Sequence, residues 1–314
     1  MGPIAFVFPG QGSQHAGMGK DLADNFPAAR QVFEEADAAL GFALSELCFN
    51  GPADQLQLTE NTQPAILTVS IAALRALETE GLPKPDFVAG HSLGEYSALV
   101  AAGALSLTDA VKTVKARGRY MQEAVPVDVG AMAAILGADL DVVMTACEEA
   151  AQGQVCSAAN INSPSQVVIA GDTAAIDRAI ELLKQRGAKR AMKLNVSAPF
   201  HCALMQPAQE RLALDLDRIP FQDLATPIVT NVDAKPINLG TEARDALVRQ
   251  VSQPVRWLQS VEFLISQGVQ TLVEIGPGKV LSGLVRQIDR NLRCVNVEDK
   301  ASLCATRETL VVSG

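Results

Sequence analysis

The feature that most constrains the fold is a repeated order in which a short apolar strand leads into a turn and then into helical sequence. The segments "IAFVFPG" and "DFVAG" show this order in the first part of the chain, and "PIVTN" and "TLVEIGPG" continue it in the last part. Strands that alternate with helices predict a parallel sheet with helices on both faces. In such a sheet the ligand crevice lies at the carboxyl ends of the strands, where these turns occur.

The middle of the chain has a different order of elements. "GAMAAIL", "VCSAANI", "SQVVIAG" and "KRAMKLNV" have the composition of strands, whereas "DLDVVMTACEEAAQ" and "TAAIDRAIELLKQRG" have helical periodicity. The resulting order, βαββαβ, is that of ferredoxin-like domains. We therefore predict an α/β main domain formed by residues 1–126 and 197–314, with a ferredoxin-like small domain inserted at residues 127–196.

Composition and charge argue against several classes of protein. Apolar residues make up 48% of the 314 positions, which is enough for a substantial core. The net charge of −9 argues against nucleic-acid binding, which usually needs a basic surface. No export signal is evident, and the longest apolar run is too short to span a bilayer, so we expect a cytoplasmic protein without membrane contact. The six cysteines form no C-x-x-C pair, so we expect reduced thiols and no metal site.

The segment Gly90-His91-Ser92-Leu93-Gly94 matches the pattern G-x-S-x-G. The pattern alone is weak, but "FVA" before it predicts a strand and the sequence from Leu93 onward predicts a helix. A sharp turn between strand and helix exposes the serine oxygen at the positive end of the helix. Ser92 is therefore a candidate nucleophile, and the alternative is a serine that caps a helix in an ordinary glycine-rich turn.

A nucleophilic serine needs a base, and the chain has only three histidines, His15, His91 and His201. His91 is adjacent to the serine in the turn, where neighbouring side chains diverge, and His15 lies in a segment without a defined pattern. His201 lies where the chain returns to the main domain, so we predict it as the general base. The alternative is a hydrogen-bonded interface histidine. No acid between Ser92 and His201 is a convincing third member of a triad, so a neutral group is expected to orient the imidazole.

Two further segments are candidate ligand contacts. Arg117 lies beside the apolar stripe of the helix "TDAVKTVKARGRYMQ" and points toward the interior, where it needs an anion such as a substrate carboxylate. An internal salt bridge or a snorkelling stem is the alternative. In "FVFPGQGSQ", Gln11 follows a strand, and its backbone N–H and that of Leu93 are candidates for an oxyanion hole.

Taken together, eight segments closely resemble the malonyl-CoA:acyl carrier protein transacylases of bacterial fatty acid synthesis. They run in order from about residue 3 to residue 290: "FVFPGQGSQ", "TQPAIL", "GHSLGEYSAL", "ARGRYMQ", "GAMAAIL", "INSPSQVVIAG", "SAPFH" and "IGPGKVL". The resemblance implies a hydrolase-like α/β domain with a ferredoxin-like insert. It also implies that the substrates are a CoA thioester and a phosphopantetheine thiol, that no cofactor is permanently bound, and that the chain is a monomer.

The resemblance assigns a role to each matching residue. Ser92 would be acylated with His201 as its base, and Arg117 would hold the free carboxylate of malonate. The backbone of Gln11 and Leu93 would form the oxyanion hole, and a main-chain carbonyl in the segment with Gln250 would hold the histidine. The residues implied near the pantetheine channel or the acyl group are Asn160, Asn162 and Phe200, and the bulk of Phe200 favours malonyl over methylmalonyl.

The predicted carrier protein is acidic, as is this chain, so docking requires a local basic surface. One cluster lies near the second helix of the insert and comprises Lys184, Arg186, Lys189, Arg190 and Lys193; the other lies near the end of the chain and comprises Arg286, Arg290 and Arg293. Three alternative functions remain open from the sequence. They are a serine hydrolase of esters or thioesters, a noncatalytic acyl-binding protein and an acyltransferase of a polyketide pathway.

Overall fold

The computed structural model describes residues 2–126, 128–196 and 198–312, and it contains two separate sheets. The predicted start of the insert at Val127 and the return to the main domain at Ser197 lie outside the described residues. The larger sheet has six strands: β1 (Ile4–Phe8), β2 (Phe87–Gly90), β7 (Ile228–Val229), β8 (Pro236–Ile237), β9 (Thr271–Ile275) and β10 (Arg293–Val297). The smaller has four: β3 (Gly130–Leu136), β4 (Cys156–Ser163), β5 (Gln166–Asp172) and β6 (Arg190–Lys193).

The large sheet has the order β10-β9-β1-β2-β7-β8, with β1 near its centre. All five residues of β1 are buried, and they alternate between two cores. Ile4, Phe6 and Phe8 pack into the larger core, whereas Ala5 and Val7 pack into the core on the opposite face. A strand buried on both faces is apolar at every position, which explains the continuous run "IAFVF" and confirms the predicted helix-covered sheet.

Helices cover both faces of this sheet and one face of the small sheet. Those before the insert are α1 (Lys20–Asn25), α2 (Pro27–Leu40), α3 (Leu44–Asn50), α4 (Ala53–Gln57), α5 (Thr59–Thr79), α6 (Gly94–Ala101) and α7 (Leu107–Glu123). The insert contributes α8 (Leu140–Ala151) and α9 (Thr173–Gln185). The remaining helices are α10 (Gln206–Leu216), α11 (Gly240–Gln250), α12 (Trp257–Ser266), α13 (Val280–Ile288) and α14 (Lys300–Val312), preceded by a 3₁₀ turn at Ala203–Met205.

The last part of the main sheet differs from the prediction. The segment "PIVTN" does not lead into a helix, because β7 is followed by β8, which pairs with it antiparallel at the sheet edge. The backbone N–H of Thr230 donates to Lys235 at 3.1 Å, and Ala234 has a left-handed φ of 50°, so a tight turn closes the hairpin. Strand β10 and helix α14 also extend the fold beyond the elements that the sequence predicted.

The small sheet forms from the predicted βαββαβ segment. Its strands are antiparallel in the order β4-β5-β3-β6. One face packs against α8 and α9 through Ala133, Ile135 and Ile169. Met132 and Val168 from the opposite face join the larger core of the main sheet, so the sheet is buried on both sides. The fold is therefore mixed α/β, with one mainly parallel sheet and one separate antiparallel sheet.

A short backbone contact joins strand β4 of the small sheet to the main part of the molecule. The N–H of Ile161 donates to Val255 at 2.9 Å, and the N–H of Val255 donates to Ala159 at 2.8 Å. This contact places Asn160 beside the carboxyl ends of the main strands. Among the residues that the structure describes, no helix has the length and apolarity needed to cross a membrane, and no cluster of His, Cys, Asp or Glu suits a metal ion.

Candidate active site

The turn between β2 and α6 carries Ser92 in a conformation that few non-glycine residues adopt. Its φ is 51°, in the left-handed region, which has a conformational cost that the surrounding structure must offset. The flanking glycines have no room for a side chain. A Cβ at Gly90 would lie 1.9 Å from the carbonyl carbon of Gly94, and a Cβ at Gly94 would lie 2.0 Å from the oxygen of Phe8. Both glycines of G-x-S-x-G are therefore required by close backbone packing.

His201 lies directly opposite Ser92. Its Nε2 is 2.7 Å from the Oγ of Ser92, and its Nδ1 is 2.8 Å from the backbone oxygen of Gln250. A carbonyl only accepts hydrogen bonds, so the imidazole proton lies on Nδ1, and Nε2 is left to accept the hydroxyl proton of Ser92. His201 also has a left-handed φ, 59°, so the two facing residues are both held in rarely populated conformations.

The environment keeps this imidazole neutral. His201 is 3% exposed, and its burial, together with the charge of Arg117, lowers its pKa to about 3. The hydrogen bond to Gln250 opposes this shift but does not outweigh burial. A neutral imidazole with a free Nε2 is the form that accepts a proton, so His201 is in the acceptor state throughout the neutral pH range.

Arg117 of α7 points into the same space. It is 1% exposed, with Nη1 donating to Gln63 at 2.7 Å and Nη2 donating to Gln250 at 2.8 Å and to the Oγ of Ser92 at 3.1 Å. Its Nε has no hydrogen-bond partner among the described residues. Among the residues that the structure describes, no carboxylate lies within salt-bridge distance of the guanidinium, which excludes a direct internal salt bridge. The guanidinium therefore keeps unused donors for an anion.

The other two histidines are placed away from the Ser92 hydroxyl. His91 turns from the serine, and its Nε2 lies 2.8 Å from the Oδ1 of Asn162, with its ring 5.8 Å from that of Trp257. Burial lowers the pKa of His91 as well. His15 is exposed, and its Nδ1 is 3.2 Å from the oxygen of Ala16. The sequence argues against both histidines as the general base, and in the structure neither has a hydrogen bond to the Ser92 hydroxyl among those of the described residues.

A cavity of about 800 Å³ opens over Ser92 between the main part of the molecule and the small sheet. Its lining includes three residues predicted to contact substrate, Gln11, Asn160 and Phe200, together with His201 and Arg117. The remaining lining residues are Gly12, Gln14, Gln57, Gln63, His91, Ser92, Met121, Asp128, Met132, Leu194, Asn195 and Val196. Leu93 lies directly before α6, and its side chain is buried in the core. Only its backbone N–H is therefore a candidate contact for a substrate at Ser92.

Comparison with known proteins identifies the family of this site. The profile of the acyl transferase domain family matches residues 5–306. A malonyl CoA-acyl carrier protein transacylase of Escherichia coli K12 is 51% identical over 98% of this chain and 100% of its own length. The chain belongs to the malonyl CoA-acyl carrier protein transacylase family. Membership in this family makes it an acyltransferase.

Solved structures of this family have the same fold. An acyl carrier protein S-malonyltransferase of Vibrio cholerae is 48% identical and has a TM-score of 0.95, covering 96% of this chain and 99% of that one. A malonyl-transacylase solved in complex with a type II PKS acyl-carrier protein is 49% identical, with a TM-score of 0.95 over 98% of this chain and 99% of that one. The resemblance inferred from eight sequence segments therefore extends over nearly the whole chain.

The two basic clusters predicted for carrier docking differ in how their charges are paired. In the first cluster three of the five side chains form ion pairs: Lys184 with Glu181, Arg186 with Glu149 and Lys193 with Asp177. Lys189 and Arg190 are exposed and form no ion pair with any described residue. In the second cluster Arg286, Arg290 and Arg293 are exposed. In the first cluster Lys189 and Arg190 are thus the more available candidates, and in the second cluster exposure alone does not separate the predicted Arg286 from its neighbours.

Three polar residues of the site were missed by sequence reasoning: Gln63, Glu95 and Asn231. Gln63 is 2% exposed on α5 and bonds to Arg117. Asn231, 1% exposed, follows β7 at the same sheet edge as Ser92 and accepts the N–H of Ser92 at 2.7 Å. Asn231 comes just after a strand and Glu95 comes just before the apolar run of α6, which are weak local signals, whereas Gln63 follows the polar residues "TENT" and has no such signal.

Proposed function

We propose that this chain transfers a malonyl group from malonyl-CoA to the phosphopantetheine thiol of an acyl carrier protein, through a malonyl ester on Ser92. The observation that carries the proposal is the convergence on one oxygen. The Oγ of Ser92 lies 2.7 Å from Nε2 of His201 and 3.1 Å from Nη2 of Arg117. A nucleophile, a neutral base and a carboxylate-binding cation therefore meet at one end of the cavity.

In the first half-reaction, His201 acts as general base and then as general acid. Its Nε2 takes the proton of Ser92 while the oxygen attacks the thioester carbonyl of malonyl-CoA. The backbone N–H groups of Gln11 and Leu93 stabilise the oxyanion that forms. The carbon–sulfur bond then breaks, and His201 returns the proton to the departing CoA thiol. The malonyl group remains as an ester on Ser92.

In the second half-reaction the phosphopantetheine thiol of the carrier protein attacks the ester. His201 now takes the thiol proton and returns it to the Ser92 oxygen as the ester breaks, so each half-reaction is balanced in protons. The chemistry exchanges one thioester for another and needs no permanently bound cofactor. Water competes with the thiol, and the transferase limits hydrolysis by holding the thiol in the attacking position.

Selectivity for malonyl follows from Arg117. Its charge and its place in the cavity lining suit an ion pair with the free carboxylate of malonate. An acetyl group would leave the guanidinium without that partner, which costs on the order of 1.5–3 kcal/mol, or about ten- to a hundredfold in rate. Phe200, which lines the same cavity, narrows the space for a methyl branch and favours malonyl over methylmalonyl.

The architecture supports finer proposals about the fold and its parts. We assign residues 1–126 and 197–314 to a hydrolase-like main domain and residues 127–196 to a ferredoxin-like insert. The insert's βαββαβ order and antiparallel sheet support this assignment. The pantetheine arm would pass Asn160, which lines the cavity, whereas Asn162 would act through its bond to His91. We also propose that the protein acts as a cytoplasmic monomer.

An acidic carrier protein would dock on exposed basic side chains of the insert, at the start of β6. Lys189 and Arg190 have no counter-charge within the described residues and are the first candidates, and Arg286 is the second. The carrier seen in complex with a related malonyl-transacylase supports a partner of this kind.

The experiment that tests this function follows both possible products from malonyl-CoA. The enzyme is incubated with malonyl-CoA and phosphopantetheinylated carrier, and malonyl-carrier and free malonate are quantified by mass spectrometry. We expect rapid malonyl-carrier formation and little malonate, with no product from a carrier that lacks phosphopantetheine. Release of free malonate at the same rate with and without carrier would instead identify a thioester hydrolase.

A further inference from the structure

Glu95 is a buried acid beneath the Ser92 turn for which the proposed reaction has no role. It lies in the first turn of α6 and is 1% exposed. Its carboxylate accepts a hydrogen bond from Nε2 of Gln250 at 2.6 Å and one from the backbone N–H of Asn231 at 3.3 Å. Burying a carboxylate is costly, so a residue of this type needs a specific explanation.

The contacts of Gln250 show what the carboxylate fixes. The amide nitrogen of Gln250 donates to Glu95 and, at 2.8 Å, to the backbone oxygen of Ser92. These two acceptors use both of its N–H groups, so the amide oxygen faces the opposite way and accepts from Arg117 at 2.8 Å. The backbone oxygen of Gln250 holds His201. One glutamine therefore links Glu95 to the cation, the nucleophile and the base.

Three nearby titratable groups interact electrostatically with Glu95. Arg117 on α7 is the cation, Tyr96 lies beside it on α6, and Asp233 lies beyond β7. Asp233 is paired with Arg249 at 2.7 Å, and that hydrogen bond lowers its pKa, so it stays ionised. Burial raises the pKa of Glu95 to about 7, against the opposing effects of its hydrogen bonds and of Arg117.

We propose that Glu95 is a positioning residue for the proposed malonyl transfer, with a buried carboxylate that orients Gln250 and serves as the counter-charge of Arg117 until the substrate carboxylate takes over that role. When malonate binds to Arg117, a second negative charge approaches the guanidinium that Gln250 links to Glu95. Two carboxylates near one cation raise each other's affinity for protons. Glu95 then takes up a proton as the malonyl group arrives.

The other buried groups near the site, His201, Tyr96 and His91, do not take up this proton. Burial lowers the pKa of His91, so its imidazole is neutral at pH 7. The pKa of His201 is about 3, well below neutral pH, so this imidazole is neutral with or without substrate. Burial raises the pKa of Tyr96 further above neutral, so its phenol stays protonated. Formation of the ester moves the proton of Ser92 to the CoA thiol, so this step neither releases protons to the solution nor takes them up near pH 7. Proton uptake on malonylation therefore reports on Glu95.

The test measures protons taken up per malonyl-enzyme formed, using a pH-indicator dye in weak buffer after rapid mixing with malonyl-CoA. At pH 7 we expect wild-type enzyme to take up about half a proton at most, because a group with a pKa near 7 is half ionised there. At pH 5 the uptake should vanish, because Glu95 is already protonated. Glu95→Gln should abolish the uptake and lower kcat about tenfold, and the exposed control Glu262→Gln should behave as wild type.

Each outcome decides between the two proposals. The malonyl adduct on Ser92 is quantified first by mass spectrometry, and its absence would overturn the proposed function and, with it, the role of Glu95. Full adduct formation without proton uptake, or equal uptake by Glu95→Gln, would overturn the role of Glu95 alone. Should Glu95→Gln fail to fold, the wild-type comparison of pH 7 with pH 5 still decides, since equal uptake at both values contradicts the proposal.

Discussion

The turn at Ser92 has two sides that differ in how completely their polar groups are bonded. On the inner side, the amide of Asn231 accepts the N–H of Ser92 at 2.7 Å and donates to the oxygen of Gly90 at 2.6 Å. Gln250 donates to the oxygen of Ser92. On the cavity side, the hydroxyl of Ser92 faces His201 and Arg117, which both line the cavity.

This difference separates the support of the site from its chemistry. The inner side bridges the two ends of the turn and holds a serine with φ 51° in a conformation that the residue alone does not favour. The cavity side keeps hydrogen-bonding capacity for a ligand. Changes on the cavity side should therefore affect transfer first, whereas changes on the inner side should affect stability as well.

The largest effect is expected from His201→Ala. Loss of the base should lower the rate of malonyl transfer by about 10²–10⁴-fold, the usual contribution of a general base. Initial rates of malonyl-carrier formation measure it, with His15→Ala as the control because His15 is exposed. Near-normal transfer by His201→Ala would show that another group removes the Ser92 proton.

The second largest effect is expected from Arg117→Ala, which removes the positive charge from the cavity side of the turn. We expect malonyl transfer to fall and the preference for malonyl over acetyl to drop by about ten- to a hundredfold. The measurement is kcat/KM for both CoA thioesters, and Arg119→Ala on the exposed face of the same helix is the matched control. An unchanged malonyl-to-acetyl ratio would remove Arg117 from the acyl pocket.

Asn231→Ala tests the inner side. The change leaves the N–H of Ser92 and the oxygen of Gly90 without their partner, which should lower the free energy of unfolding by roughly 1–3 kcal/mol. Urea denaturation measures the loss, and Asn291→Ala, at an exposed position, should unfold as wild type does. If Asn231→Ala lost activity but kept its full stability, the division between the two sides would be wrong.

The smallest effect is expected far from the turn, at the carrier-docking surface. The double change Lys189→Glu and Arg190→Glu should raise KM for the carrier several-fold and reduce the salt dependence of transfer, because rim charges act mainly on association. KM for malonyl-CoA should stay the same. Lys112→Glu, an exposed lysine on α7, is the control. If Lys112→Glu raised KM for the carrier as much as the double variant does, the carrier would not dock locally at Lys189 and Arg190.

Sequence predicted the parts of the molecule that have local signals. The run "IAFVF" and the alternating elements predicted the main sheet, and G-x-S-x-G predicted the turn at Ser92, because close packing at Gly90 and Gly94 leaves a local mark. The helical stripe of α7 predicted that Arg117 points inward. The hairpin of β7 and β8 was missed, since two-residue strands carry almost no periodic signal.

The contacts on the inner side of the turn could not be predicted, although some of their residues carry a local signal, because the partners are far apart in the sequence. Asn231 lies 139 positions from Ser92, and Gln250 lies 155 positions from Glu95, so their contacts depend on the tertiary fold. A buried glutamine in a helix resembles any other polar residue in sequence. Only the packing of α11 against the turn brings its amide into contact with Ser92, Glu95 and Arg117.

The most direct test of the account is to map the acyl group itself. The enzyme is treated with malonyl-CoA, quenched in acid and digested, and the malonylated peptide is sequenced by tandem mass spectrometry. We predict a malonyl ester on Ser92, absent in Ser92→Ala and discharged when phosphopantetheinylated carrier is added before the quench. A malonyl group on another residue, or efficient transfer by Ser92→Ala, would contradict the account.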